Sequence, residues 1–262
     1  MTLDHIGAYF DFMLPDRVTS VLRMIGRAAA VLFMFALVVG AEHTSDRKKY
    51  LLRLYICNIL IAIASVPLIL GGMMGWPPEM IATLFMTMLY ICLIDSFIKS
   101  SKPAHRLIYL LIIASVTILP VIIDRTLIES ISHSVYTINN NSFQSAAVRY
   151  ILRAILPNMW TIDYSAVFVI MGILMYYFKN KYARCLIVLL ASMTSYAGTY
   201  LFHAAMFIEF FMNNQYYMFL AIPFIWAYNG EKGRSIKYLY YIYYPAHIFI
   251  FVLLSHYLQM KA

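Results

Sequence analysis

The run from Ala28 to Ala41 holds no charged residue, Arg27 stands at its head, and Glu42, His43, Thr44, Asp46, Arg47, Lys48, Lys49 and Arg53 crowd its far end. A helix rising about 1.5 Å per residue would set Arg27 and His43 roughly 24 Å apart, most of the ~30 Å hydrocarbon thickness of a bilayer. Ionisable groups therefore bracket an apolar segment from both sides. Charge at membrane depth persists where it meets a partner, a cavity or a substrate. The stretch from Gly26 to Leu54 reads as one wall of an intramembrane site.

The rest of the chain supports a membrane setting. Hydrophobic residues make up 63% of the sequence and charged residues 12%, about half the charged share of a soluble domain. A spanning helix needs about twenty mostly apolar residues, which places spans near 24–41, 54–73, 80–98, 107–123, 164–178, 185–203, 216–228 and 238–258. The fold class expected is all-α, a polytopic transmembrane helix bundle of about eight spans plus an N-terminal half-helix. The connections are short apart from 124–163, so any chemistry has to be built from helix ends and interiors.

The net charge of +8 does not point to nucleic acid, because the basic residues are dispersed among short loops and form no long tract or recognition motif. Loops after alternate spans carry Arg47, Lys48, Lys49 and Arg53; Lys99, Lys102 and Arg106; Lys179, Lys181 and Arg184; and Lys232, Arg234 and Lys237. These are thirteen of the 20 lysines and arginines. By the positive-inside rule those basic loops are cytoplasmic, and the N-terminus and 124–163 face out. The three cysteines, Cys57, Cys92 and Cys185, show no CxxC spacing and are expected to be reduced packing residues. Residues 1–14 are apolar yet too short to span, which leads to the expectation of about ten to fifteen further apolar residues upstream.

Within that opening, Asp4 and His5 are neighbours whose side chains point about 100° apart on a helix, so each must reach a different partner. Pro67 marks a bend and Trp76-Pro77-Pro78 a tight outer turn. His105 and His133 read as solvated loop residues. In 124–163, a polar tip from Thr137 to Gln144 leads into Ser145–Leu156, whose Arg149 and Arg153 alternate with apolar positions. That pattern reads as an amphipathic helix lying in the membrane interface. Asp163 opens the next span, where the helix dipole stabilises a carboxylate.

The second concentration of chemistry is AYNGEKGRSIKYLYYIYYPAHIF, near the end of the chain. Asn229-Gly230 and Lys232-Gly233 make a turn, while Glu231, Lys232, Arg234 and Lys237 bring charge to the basic side. Tyr240, Tyr244 and His247 share one helix face, and Pro245 frees the carbonyl of Tyr241 from its helical hydrogen bond. His247 lies about 15 Å into the helix, near the bilayer middle. No HExxH-like spacing links His43, His203 and His247, and no metal site is assigned.

Six short motifs in order resemble the TraX family of membrane proteins. They are Asp4 to Gly7 (DHIG), the GR-led helix with Gly26, Arg27, Gly40, His43 and Thr44, the YLLRL start with Tyr50 and Arg53, Asp163-Tyr164, YNGEKG at Tyr228 to Gly233, and YYPAH at Tyr243 to His247. The resemblance covers nearly the whole chain and implies one domain over 1–262. The family is associated with acetylation of conjugative pilin and is grouped with multi-pass acyltransferases. The resemblance thus implies acetyl-CoA as donor substrate, Asp4-His5 at the position of the family's first-helix histidine, and the inner membrane of a bacterium.

An acetyltransferase needs a base, donors for a developing oxyanion and a hold on the donor's phosphates. His5, His43 or His247 qualifies as base, and Tyr244 or Arg27 as oxyanion donor. Arg47, Arg53, Arg234 and Lys237 are expected to hold phosphates on the cytoplasmic side, with His43, Asn229 and Glu231 grouped with them. His247 is placed to meet acetyl from the cytoplasm and Asp4-His5 to meet an acceptor from outside, whether pilin-like peptide amine, sugar or lipid head group. The competing reading is a proton-coupled transporter that uses His247, His5 and Asp163 as a proton path. No internal repeat supports it.

Overall fold

The computed structural model describes residues 1–74, 79–162, 164–201, 215–231 and 237–261. Every regular element among them is helical: α1 (Thr2–Tyr9), α2 (Asp16–His43), α3 (Arg47–Leu70), α4 (Met80–Lys99), α5 (Pro103–Ile123), α6 (Glu129–Asn139), α7 (Ser142–Ile155), α8 (Ser165–Tyr177), α9 (Lys181–Leu201), α10 (Ile222–Ala227) and α11 (Lys237–Gln259), with short 3₁₀ and π turns between some of them. Among the described residues, five stretches are long and apolar enough to cross a membrane: Asp16–His43, Arg47–Leu70, Met80–Lys99, Pro103–Asn139 and Tyr241–Gln259. The protein is an all-helical polytopic membrane protein. Trp76-Pro77-Pro78, Asp163, His203 and Arg234 lie outside the described residues, as do the side chains of Lys237 and Tyr240.

The contacts divide the chain into two units, Met1–Glu42 with Ile170–Ala262, and His43–Val169. In the second unit, α3, α4 and α5 pack as sequential neighbours, and α7 packs on α3 and α6. Asp46 starts α3 by accepting the backbone N–H of Lys49 at 3.0 Å. That bond holds the Asp46 carboxyl below its ordinary value, so the cap is intact at neutral pH and is lost as pH falls through the lowered pKa. Several polar side chains inside the spans of this unit find acceptors within the protein, as a bilayer favours. Ser65 bonds the Ile61 carbonyl, Thr87 that of Thr83, and Tyr90 meets Thr117 across the α4–α5 seam at 2.8 Å.

The segment 124–163 departs from the expected loop. A π turn, Asp124–Ile128, joins α5 to α6, so helix runs on without a break from Pro103 to Asn139. The amphipathic segment forms α7, which packs on α3 and α6. It runs antiparallel to α3: Phe143 at its start lies against Gly72, and its last carbonyls meet Asn58 and Tyr55. A Cβ at Gly72 would sit 3.0 Å from Phe143 Cζ, and its φ of +68° favours glycine as well. Asn58 donates to Ala154 O at 2.9 Å and Tyr55 to Ile155 O at 2.8 Å, satisfying carbonyls that a helix C-terminus leaves orphaned.

The arginines of α7 are neutralised inside the same unit. Arg153 makes a bidentate pair with buried Asp124 (2.7 and 3.1 Å) and reaches Glu129 at 2.7 Å. Arg149 Nε donates to Ser132 Oγ, which also meets Ser145 Oγ at 2.7 Å. With its charge paired and its polar end capped, the helix can lie along α3.

The expected span 216–228 is a 3₁₀ segment, Gln215–Ala221, followed by the short helix α10. Pro223, in the first turn of α10, has no N–H to continue an α-helical ladder from the preceding turn.

In the first unit, α1 packs on α11, and α9 packs on α10 and the 3₁₀ segment. Arg184 on α9 is buried; its Nε donates to Met175 O at 3.0 Å and its Nη2 to Glu42 at 2.6 Å. The Arg184 guanidinium also lies over the ring of Phe35, 5.6 Å from its centroid. A basic residue counted among the cytoplasmic loop charges is thus a clamp on the ends of α2 and α8.

Candidate functional site

Helix α1 lies between α2 and α11, and the 100° step between Asp4 and His5 gives them different partners. Asp4 is buried against α2. A Cβ on Gly26 would fall 2.1 Å from Asp4 Cβ and 2.7 Å from its Cα, so only glycine at 26 lets the two backbones meet. One residue on, Arg27 Nη2 lies 3.6 Å from Asp4 Oδ1, and Arg23 Nε, one turn earlier on α2, lies 3.7 Å from the same oxygen. The glycine of the Gly26-Arg27 pair admits α1, and the arginine receives its carboxylate.

His5 faces α11. Its ring meets that of His247 edge to face, with centroids 5.2 Å apart. The reading from sequence put His247 near the bilayer middle, to meet acetyl from the cytoplasm, and Asp4-His5 where it would meet an acceptor from outside; the docking of α1 on α11 brings the two histidine rings into contact. His247 also stacks on Tyr243 at 4.9 Å and touches Phe251 at 5.9 Å, the turns before and after it on α11. Phe10 completes the cover over Phe251. Tyr244 is buried, 6.2 Å from the His247 ring and 6.5 Å from Phe33.

Hydrogen bonding sets the chemistry of His247. Its Nδ1 lies 2.6 Å from the carbonyl oxygen of Tyr243, and a carbonyl only accepts, so Nδ1 carries the proton and donates it. The lone pair is then on Nε2, which is buried and has no hydrogen-bond partner among the described residues. Asp4 Oδ1, Arg27 Nε and Thr19 Oγ1, the last on the turn of α2 that meets Gly7, are buried and unpartnered as well. Buried polar groups are nearly always paired. The α1–α2–α11 cluster thus contains an imidazole nitrogen, a carboxylate oxygen, a guanidinium N–H and a hydroxyl that are buried without hydrogen bonds among the described residues.

Of the residues expected to bind the donor, His43, Arg47, Arg53, Asn229 and Glu231 are described. His43 is exposed at the end of α2. Arg47 is engaged by Asp95, which also has Lys99 at 4.0 Å. Arg53 is exposed, and its Nε donates to Lys49 O at 3.3 Å. Asn229 and Glu231 close a turn on each other: Asn229 Oδ1 accepts the Glu231 N–H at 3.0 Å, and Asn229 Nδ2 donates to the Glu231 carboxylate at 2.9 Å. Sequence reasoning missed Arg23, Gly26 and Tyr243 as parts of the cluster. Arg23 and Arg27 are four apart on one helix face, and that spacing was the available signal.

A polytopic helical membrane protein with a buried histidine, carboxylate and arginine at the meeting of its first, second and last described helices is the class that fold and cluster define. Residues 1–124 match the family model of the TraX protein, a match that supports the assignment of the chain to the TraX family. The matched stretch includes Asp4, His5, Gly26, Arg27, His43, Arg47 and Arg53, and ends before the YNGEKG and YYPAH elements. No curated protein and no solved structure matches the chain.

Proposed function

We propose that this protein is an integral-membrane acetyltransferase that moves an acetyl group from acetyl-CoA to the hydroxyl or amine of an acceptor, with His247 as general base. The observation that carries the reading is the unpartnered Nε2 of His247, whose tautomer is fixed by the Tyr243 carbonyl. Its membrane setting and the family match, whose family is associated with pilin acetylation, support it.

In the reaction, the acceptor O–H or N–H gives its proton to His247 Nε2 as its lone pair attacks the thioester carbonyl. The tetrahedral oxyanion that forms accepts hydrogen bonds from Tyr244 or Arg27. Its collapse breaks the C–S bond, and the departing CoA sulfur takes the proton back from the imidazolium. His5, stacked edge-on, holds the His247 ring in place, and Asp4 holds the arginines of α2. The donor's phosphates are assigned to basic residues, with Arg53, Arg234 and Lys237 the ones to test one at a time.

Membrane vesicles containing the protein, incubated with radiolabelled acetyl-CoA, test the reading directly. Label is expected in a peptide, glycan or lipid fraction with wild type and at background with His247→Ala. Dissipation of a proton gradient with no label transferred would favour a proton-coupled transporter built on the same histidines.

A further inference from the structure

Arg27 is 8% exposed and carries five N–H donors in a rigid plane. Its contact with Asp4 Oδ1, at 3.6 Å, is an ion pair too long for a hydrogen bond. Arg27 Nε is buried with no partner among the described residues, and Asp4 Oδ1 is equally without a hydrogen bond. The carboxylate is drawn between two guanidiniums, 3.6 and 3.7 Å away, and hydrogen-bonds neither through that oxygen. It balances charge in part and leaves the Arg27 fork open.

A buried guanidinium in this state calls for a second acceptor, and its planar fork fits the paired oxygens of a carboxylate or phosphate better than a neutral hydroxyl. The place of that acceptor follows from α1. Asp4 reaches Arg27, and the next residue, His5, lies against His247. Consecutive residues of α1 therefore touch Arg27 and His247, which places both in the α1–α2–α11 cluster.

We propose that the acceptor is anionic, a molecule that bears a phosphate as well as the hydroxyl or amine that receives acetyl, and that Arg27 binds this oxyanion. The proposal rests on the acetyl-transfer reading for the acceptor's role, though the binding of the anion does not. Within it, Tyr244 serves the thioester oxyanion and Arg27 the acceptor. A phosphate in this position can come from a lipid head group or from a soluble phosphate ester.

Binding is measured without acetyl-CoA, so that a failure of acetyl transfer leaves this result intact. Purified protein in neutral detergent is offered phosphatidylglycerol or diacylglycerol of the same acyl chains, and glycerol 3-phosphate or glycerol, with native mass spectrometry as readout. Wild type is expected to retain a phosphate-bearing probe at least tenfold better than its neutral counterpart. Retention of the lipid alone identifies a head group, and retention of the soluble ester identifies a soluble acceptor. Arg27→Gln should abolish the preference and Arg27→Lys keep part of it, each checked for folding by melting temperature. The wild-type comparison stands even if both variants misfold. No preference for phosphate in wild type, or an undiminished preference in folded Arg27→Gln, overturns the proposal. Once an acceptor is in hand, Arg27→Gln should raise its KM with kcat nearly unchanged; a fall in kcat at constant KM would assign Arg27 to the transition state instead.

Discussion

His5 and His247 meet edge to face across 5.2 Å, one on an early helix and the other on the last described one. Only His247 has a ring nitrogen committed to a backbone carbonyl and the other left buried and open. The two should therefore fail differently when replaced. His247→Ala is expected to lower kcat by about 10² to 10⁴, the usual contribution of general base catalysis. His5→Ala, which removes a supporting ring, should cost less. Steady-state rates of labelled acetyl transfer check this, and wild-type kcat in a folded His247→Ala protein would remove His247 from the centre of the site.

Gly26→Ala tests the docking of α1. The added methyl would lie 2.1 Å from Asp4 Cβ, a distance no side-chain rotation relieves, so α1 has to move. Overpacking of this kind costs about 1 to 3 kcal/mol. Faster hydrogen exchange in Thr2–Tyr9 and loss of activity are expected together, with α3 to α7 unaffected.

Removing one partner of the buried Arg184–Glu42 pair strands the other charge. Arg184→Ala is expected to destabilise the protein by about 3 to 5 kcal/mol and to expose the ends of α2 and α8 to proteolysis. The double variant Arg184→Met/Glu42→Gln should recover much of that loss, because no unpaired charge remains. A thermal-melt cycle over the single and double variants measures the coupling.

By the positive-inside rule the basic loops are expected on the cytoplasmic side. If they are cytoplasmic, an impermeant thiol reagent applied to intact cells should modify Ser142→Cys and spare Ser235→Cys, both made in a background with the three native cysteines replaced. The reverse pattern would move the donor side to the other face.

Much of the fold could be read from the chain because lipid enforces a simple rule: long apolar runs become helices. The separation of Asp4 from His5 was equally legible, since it needs only the angular step of a helix. What stayed hidden was pairing at a distance. Arg149 and Arg153 gave α7 the pattern of an interfacial helix, and nothing local revealed that Asp124, Glu129 and Ser132 would absorb their donors or that Asn58 and Tyr55 would cap its end. Gly26 was read as one letter of a short motif. Its role as the point where two backbones touch becomes visible only with Asp4 beside it.

The meeting of α1 with α11 also bears on how the protein is made. Asp4 and His5 leave the ribosome some 240 residues ahead of His247, a lag of roughly 10 to 50 s at ordinary synthesis rates. Through that interval Arg27 has its carboxylate at hand, but His5 has no ring to lie against. The contact between α1 and α11 can form only after α11 has been made, so the cluster assembles late in synthesis.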